Sequence, residues 1–168
     1  MSKAIIFFAA IALAMLVSCS GYKIESFYIG QGNMQFFIPP YEMEGDQNDA
    51  FLDFTCRSGD IPNSDVILNF SVFFDEDNAI NEIQSASMVM NNKKHYVDSL
   101  QKLYVDFVDN KIRYTCRITR TAFIEFFDSE APDFVVVAAE QEIIFAAGSD
   151  YEEAKQLIRK QILPQLKN

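Results

Sequence analysis

The sequence predicts an α+β fold: a largely antiparallel sheet with a C-terminal amphipathic helix packed on one face, and room for a second short helix. Three observations predict it. Segments such as Leu52-Asp53-Phe54-Thr55-Cys56 and Ile112-Arg113-Tyr114-Thr115-Cys116 alternate apolar and polar residues, the period of a strand with one buried face. Short clusters rich in Gly, Pro, Asn and Asp separate these segments, which suits antiparallel neighbours joined by turns. Beyond Ser149, by contrast, the apolar residues fall at helical spacing.

The elements follow in order. Residues 24–28 and 34–38 read as two short strands around the turn signal Gly30-Gln31-Gly32-Asn33. Pro39-Pro40 should stop the second strand, because proline cannot donate to a ladder. Residues 41–49 then form an acidic loop. Residues 51–57 are a strand, 58–64 a turn containing Gly59 and Pro62, and 65–74 a longer strand ended by Asp75-Glu76-Asp77-Asn78. Residues 79–90 read two ways. Ile80, Ile83, Ser87 and Met90 share a helical face, while 85–89 also alternate as a strand; we take the helix. A turn follows at 91–94.

The clearest hairpin joins 100–108 to 111–119 through a two-residue turn, Asp109-Asn110, residue types that tolerate positive φ. That register opposes Asp106 to Arg113 and Val105 to Tyr114. The second strand is expected to run on to Phe127, bulged near Arg120. After a turn at 129–133, residues 134–146 return as one long strand. The final helix opens at Gly148-Ser149, where Ser149 and Glu152 have capping-box spacing. Its apolar stripe is Tyr151, Ala154, Leu157, Ile158, Ile162 and Leu166, with Pro164 marking or bending the last turn.

The first residues carry a different kind of information. After Met1-Ser2-Lys3, the uncharged run from Ala4 to Val17 would span roughly 21 Å as a helix, short of the ~30 Å hydrocarbon core. A signal-peptide h-region fits better than a membrane span. The run ends Leu16-Val17-Ser18-Cys19, with a branched apolar residue three before the cysteine and a small residue directly before it. This segment resembles the lipobox of bacterial lipoprotein precursors. The resemblance implies diacylglycerol on the Cys19 thiol, cleavage between Ser18 and Cys19, and acylation (palmitate among the chains) of the new amino group. The organisation expected from it is a signal peptide over 1–18, a lipidated cysteine and tether over 19–23, and a single globular α+β domain over 24–168. Two or three acyl chains make a durable anchor, at about 0.8 kcal/mol per buried methylene. Ser20 is not the aspartate that retains such proteins at the inner membrane in enteric bacteria. By analogy, the expected location is the outer membrane if the cell has one, and otherwise the outer face of the cytoplasmic membrane. The overall layout also resembles PsbP-like sandwiches, in element order only.

With Cys19 committed to lipid, Cys56 and Cys116 remain, each on the apolar side of its strand and in matching contexts, Phe54-Thr55-Cys56-Arg57 and Tyr114-Thr115-Cys116-Arg117. An exported chain with two inward thiols favours a disulfide, worth roughly 4 kcal/mol for a loop of about sixty residues. Two buried free thiols acting as small hydrophobes are the alternative.

Chemistry-bearing patterns are sparse. The formal charge of −10 excludes most nucleic-acid binders, whose partners demand clustered Lys and Arg. The one histidine, His95, sits in a polar stretch and reads as a solvated surface residue. No nucleophile-elbow, Walker or dinucleotide fingerprint is present. Glu44, Asp46, Asn48 and Asp49, and Asp75 to Asn78, lack the ligand order of an EF-hand, so no metal or cofactor is expected. Arg57, Arg113 and Arg117 share the polar sides of the two cysteine strands. They either converge on an anion or pair with Asp53, Asp106 or Glu125 across strands. Tyr22, Phe27, Tyr28, Phe36, Phe37 and Tyr41 crowd the N-terminal hairpin. In a chain with 16 phenylalanines, seven tyrosines and no tryptophan, they are either core or a partner surface.

The expectation is a non-enzymatic, membrane-anchored lipoprotein of the cell envelope that serves as a protein-interaction or assembly module. Its partners are the membrane, through lipid, and another envelope protein. The alternative is a binding module for a small apolar ligand or lipid in a pocket between sheet and helix.

Overall fold

A computed structural model of the chain describes residues 22–59, 65–73 and 82–166. The leader, Cys19, Ser20 and the acidic run Asp75 to Asn78 lie outside the described residues. Of those described, 58% are in strands and 20% in helices, so the α+β expectation is corrected: the protein is mostly β, a nearly closed, barrel-like antiparallel sheet with small helices.

The strands are β1 (Glu25–Gly30), β2 (Asn33–Gly45), β3 (Ala50–Arg57), β4 (Val66–Phe73), β5 (Ile83–Met90), β6 (Lys93–Tyr96), β7 (Asp98–Asp106), β8 (Lys111–Ile118), β9 (Asp133–Ala138) and β10 (Gln141–Ala147). The helices are α1 (Arg120–Asp128), α2 (Ser149–Gln161) and α3 (Leu163–Leu166). The sheet order is β6-β5-β9-β10-β2-β3-β4-β8-β7, with β1 added on β2. The two end strands, β6 and β7, are consecutive and joined through Val97 alone. Val97 N donates to Ala86 O at 3.0 Å on the β5 side, and Asp98 already stands opposite Arg117 on β8. One run of chain thus leaves one edge of the sheet and becomes the other. Ser99, with φ 55°, sits in the register shift that bends it.

Four expectations fail for identifiable reasons. The prolines do not end β2. They sit in a register shift between Ile38 and Tyr41, where the ladder to β3 skips them and resumes at Tyr41 opposite Leu52. The strand reaches Gly45, pairing β1 before the bulge and β10 after it. Residues 83–90 are a strand between β9 and β6 rather than a helix. Residues 120–128 are a helix, capped by the Thr119 side chain, which accepts from Ala122 N at 3.1 Å. Ala122, Phe123, Phe126 and Phe127, spaced for one helical face, are its buried residues. The expected long strand over 134–146 is a hairpin, β9 and β10, turning at Ala139-Glu140 with φ of 49° and 64°.

The β7–β8 hairpin is present with a longer turn: Asp106 pairs with Lys111 and Val105 with Ile112, so four residues rather than two make the connection. The C-terminal stripe is buried as read, with Leu157 only partly covered. Gly148 is its N-cap and Ser149 its first helical residue, so no capping box forms. Asp150 and Glu152 in the first turn and Arg159 and Lys160 in the last suit the helix dipole.

The core is aromatic. Phe54 meets Phe123 at 5.3 Å and Phe127 at 5.5 Å between ring centroids, and Tyr151 stacks on Phe127 at 5.9 Å. The Tyr151 hydroxyl donates to Phe126 O at 2.7 Å, tying α2 to the end of α1. Phe70 stacks on Tyr114 and meets Phe134 edge-on at 4.9 Å, joining the two halves of the sheet.

Candidate functional site

Between the sheet and the helices, Tyr41, Phe126, Phe127, Tyr151 and Ile158 are fully buried.

A groove of about 810 Å³ lies on the outward face of β2, β3, β4 and β8. The register builds it rung by rung. Phe37 stands opposite Thr55, Thr55 opposite Ile67, and Ile67 opposite Arg117. One rung away, Asn69 stands opposite Thr115, and on the other side Gln35 stands opposite Arg57. Ile29 from β1 and Arg120 from the first turn of α1 close the sides. The inward residues of the same strands, Phe36, Phe54, Leu68 and Cys116, are core. Strand alternation therefore forces the groove residues outward.

Three guanidinium groups reach this groove. Arg57 Nε donates to Gln35 Oε1 at 2.9 Å. Arg120 donates to the backbone carbonyls of Arg57 at 3.2 Å and Gly59 at 3.4 Å. Arg117 lies 3.6 Å from Asp65, and both side chains are well exposed. The described lining thus sets three arginines against one carboxylate, Asp65. Arg113, the third member of the expected cationic spot, is not among them. It pairs with Asp53 at 2.5 Å and donates to Ser71 Oγ at 3.2 Å, while Asn69 donates to the other Asp53 oxygen at 2.7 Å.

The expected disulfide is corrected. Cys56 and Cys116 are both free and buried. Phe54 and Cys116 both stand opposite Leu68, on β3 and β8, so β4 runs between the two thiols. Two strand spacings, about 9.6 Å, exceed the reach of a disulfide. Burial pushes both thiols up to about 12, with Arg120 opposing the shift slightly at Cys56. Cys116 Sγ instead donates to Leu68 O at 3.4 Å.

The N-terminal aromatics divide. Phe36 and Tyr41 are core and drop out of the expected surface. Tyr22 is partly buried, its hydroxyl donating to Pro39 O at 2.6 Å and its backbone N–H to Glu153 Oε1 at 3.2 Å. Phe27, Tyr28 and Phe37 are exposed, as is Ile29. Phe27 and Phe37 meet edge-to-face at 5.6 Å. Among the described residues, β1 pairs only with β2, and its other edge carries no strand.

His95 is also re-placed. It is largely covered on β6, with Nε2 3.0 Å from Glu125 Oε2 of α1. Among the described residues, no group of three or more His, Cys, Asp or Glu is placed to hold a metal ion, and no helix is long and apolar enough to cross a membrane. Sequence reasoning missed Arg120, Ile29 and Ile67. Ile67 had a signal: Val66-Ile67-Leu68 breaks the alternation, putting an apolar side chain on a polar face.

Searches against protein-family models, curated proteins and solved structures gave no match to this chain.

Proposed function

We propose that this chain is a non-enzymatic, lipid-anchored protein of the bacterial cell envelope that recognises another envelope protein through its N-terminal hairpin. The observation that carries the reading is the open edge of β1. Among the described residues, its backbone N–H and C=O groups on that side have no strand partner, and Phe27, Tyr28 and Ile29 are exposed beside them, Tyr28 at 68%. Natural edges are ordinarily blunted by charge, proline or a covering element. This one carries a single charge, Glu25. An added strand would gain main-chain hydrogen bonds, and the alternate side chains would supply specificity.

The Leu16-Val17-Ser18-Cys19 segment supports anchorage, and Tyr22 supports close anchorage. Tyr22 is held to Pro39 and Glu153, leaving three peptide units, about 10 Å, between the lipidated residue and the body of the domain.

A photo-crosslinking residue placed at Tyr28 tests the partner reading in intact envelopes. A discrete protein adduct is expected from position 28 and none from Lys102 on β7; equal patterns from both would end the proposal. Metabolic labelling with palmitate tests the anchor: Cys19→Ala should remove the label.

A further inference from the structure

The outward groove meets that edge at Ile29, and its chemistry points to a different ligand. We propose that it binds a single-chain amphiphile with an anionic head, a fatty carboxylate or a phosphate-headed lipid. Its volume, about 810 Å³, lies in the range of small-molecule sites.

The two ends of the groove differ. Ile29 and Phe37 make one side apolar, and Ile67 carries apolar surface on to the strand beside Arg117. All three are appreciably exposed, and their neighbours in the groove are polar or charged: Gln35, Thr55, Arg57, Asn69, Thr115 and Arg117. Phe37 and Arg117 are three strand spacings apart, about 14 Å. A chain lying across the strands would cover Phe37, Thr55 and Ile67 and deliver its head to Arg117.

The head position is cationic against the protein's overall sign. Arg57, Arg117 and Arg120 line it with Asp65 as the only carboxylate among the described lining residues, in a chain of net charge −10. Arg57 spends only Nε on Gln35, so the paired N–H groups at its tip can take a carboxylate or phosphate edge-on. Arg117 meets Asp65 at the long distance of 3.6 Å with both groups exposed. An anion entering there exchanges a weak, solvated pair for a stronger one. Arg120 donates to the Arg57 and Gly59 carbonyls at the edge of the groove.

Calorimetry and native mass spectrometry would use the chain from residue 19 with Cys19→Ser, which retains every residue of the described core. The probes are dodecanoate, dodecyl phosphate, dodecanol, and acetate or inorganic phosphate alone, each below its micellar concentration. One-to-one binding is expected for at least one of the two anionic amphiphiles, and the tighter of them identifies the head group. Arg57→Gln with Arg117→Gln should weaken it about tenfold or more, the scale of one charge-assisted hydrogen bond. Ile67→Gln should weaken it without altering the melting temperature. The proposal is overturned if neither amphiphile binds, if dodecanol binds equally well, if the heads alone bind as tightly, or if the folded arginine variant retains affinity. Tyr28→Ala leaves this binding unchanged, so failure here and failure of the edge-recognition reading are separable.

Discussion

Two free thiols in a domain proposed to be exported make a sharp test of the strand order. The perturbation is reductant, applied to the Cys19→Ser chain. A bridge between residues 56 and 116 would contribute about 4 kcal/mol by loop closure. At that scale, reductant would lower the melting temperature by many degrees. With β4 between the thiols, the expected change is zero. Thiol reagent supplies the second readout. With both groups pushed up to about 12, the thiolate fraction at pH 8 is about one part in 10⁴. The folded protein should be inert, and guanidinium should release two thiols without prior reduction. Alkali supplies the third. The folded thiols hold their protons above the ordinary value of 9.0. Their contribution is therefore complete below pH 9 and is lost as pH rises from 9 towards 12. At pH 10 each costs on the order of 1 kcal/mol. Urea denaturation at pH 8, 9 and 10 should show that decline, and a Cys56→Ala, Cys116→Ala chain should show a shallower one. Failure to titrate thiols in guanidinium until reductant is added would refute the strand order itself.

Other outcomes follow from single contacts. Phe54→Ala removes a fully buried ring surrounded by Tyr41, Phe123, Phe126 and Phe127 and should cost about 3–5 kcal/mol in urea denaturation. The partly covered Phe51 on the same strand should cost less than half of that when replaced. Tyr151→Phe deletes the buried hydrogen bond to Phe126 O and should cost about 1–3 kcal/mol; an unchanged midpoint would mean α1 and α2 are not tied there. Ala139→Asn with Glu140→Gly should stabilise by about 1–2 kcal/mol, because both native residues sit at positive φ. A loss of stability would place the turn elsewhere. Asp53→Ala strands Arg113 and Asn69 and should cost about 1–3 kcal/mol, more than Asp65→Ala at the exposed Arg117 pair.

The strands legible in the sequence are those that face the core with one side only. β3 and β8 alternate cleanly, β4 does so except at Ile67, and all three are legible within a residue or two. β5 and β9 are buried on both sides for much of their length, so alternation fades there and periodicity cannot separate strand from helix. Turn chemistry worked where the residues suit it. Asn91-Asn92, at φ 49° and 62°, was readable; Ala139-Glu140, with the same geometry, was not, and the β9–β10 hairpin was hidden with it. α1 was masked by composition, since phenylalanine and isoleucine favour strands, although the Thr119 cap and the spacing of its aromatics were both present. The candidate site was half visible. Arg57 and Arg117 were singled out from their strands. Arg120 and Ile29 reach the groove from α1 and β1, elements that only the register brings to that side.

The double pairing of β2 carries a consequence for how the protein comes into being. Met43 to Gly45 pair with Phe145 to Ala147, a hundred residues later in the chain. A polypeptide emerging N-terminus first thus presents β2 with half of one edge bare until almost its last strand has arrived. Native closure has to wait for the whole domain, and such non-local pairing is intrinsically slow. Maturation should therefore follow release of the complete chain. Any product ending before Ala147 should remain open and prone to degradation.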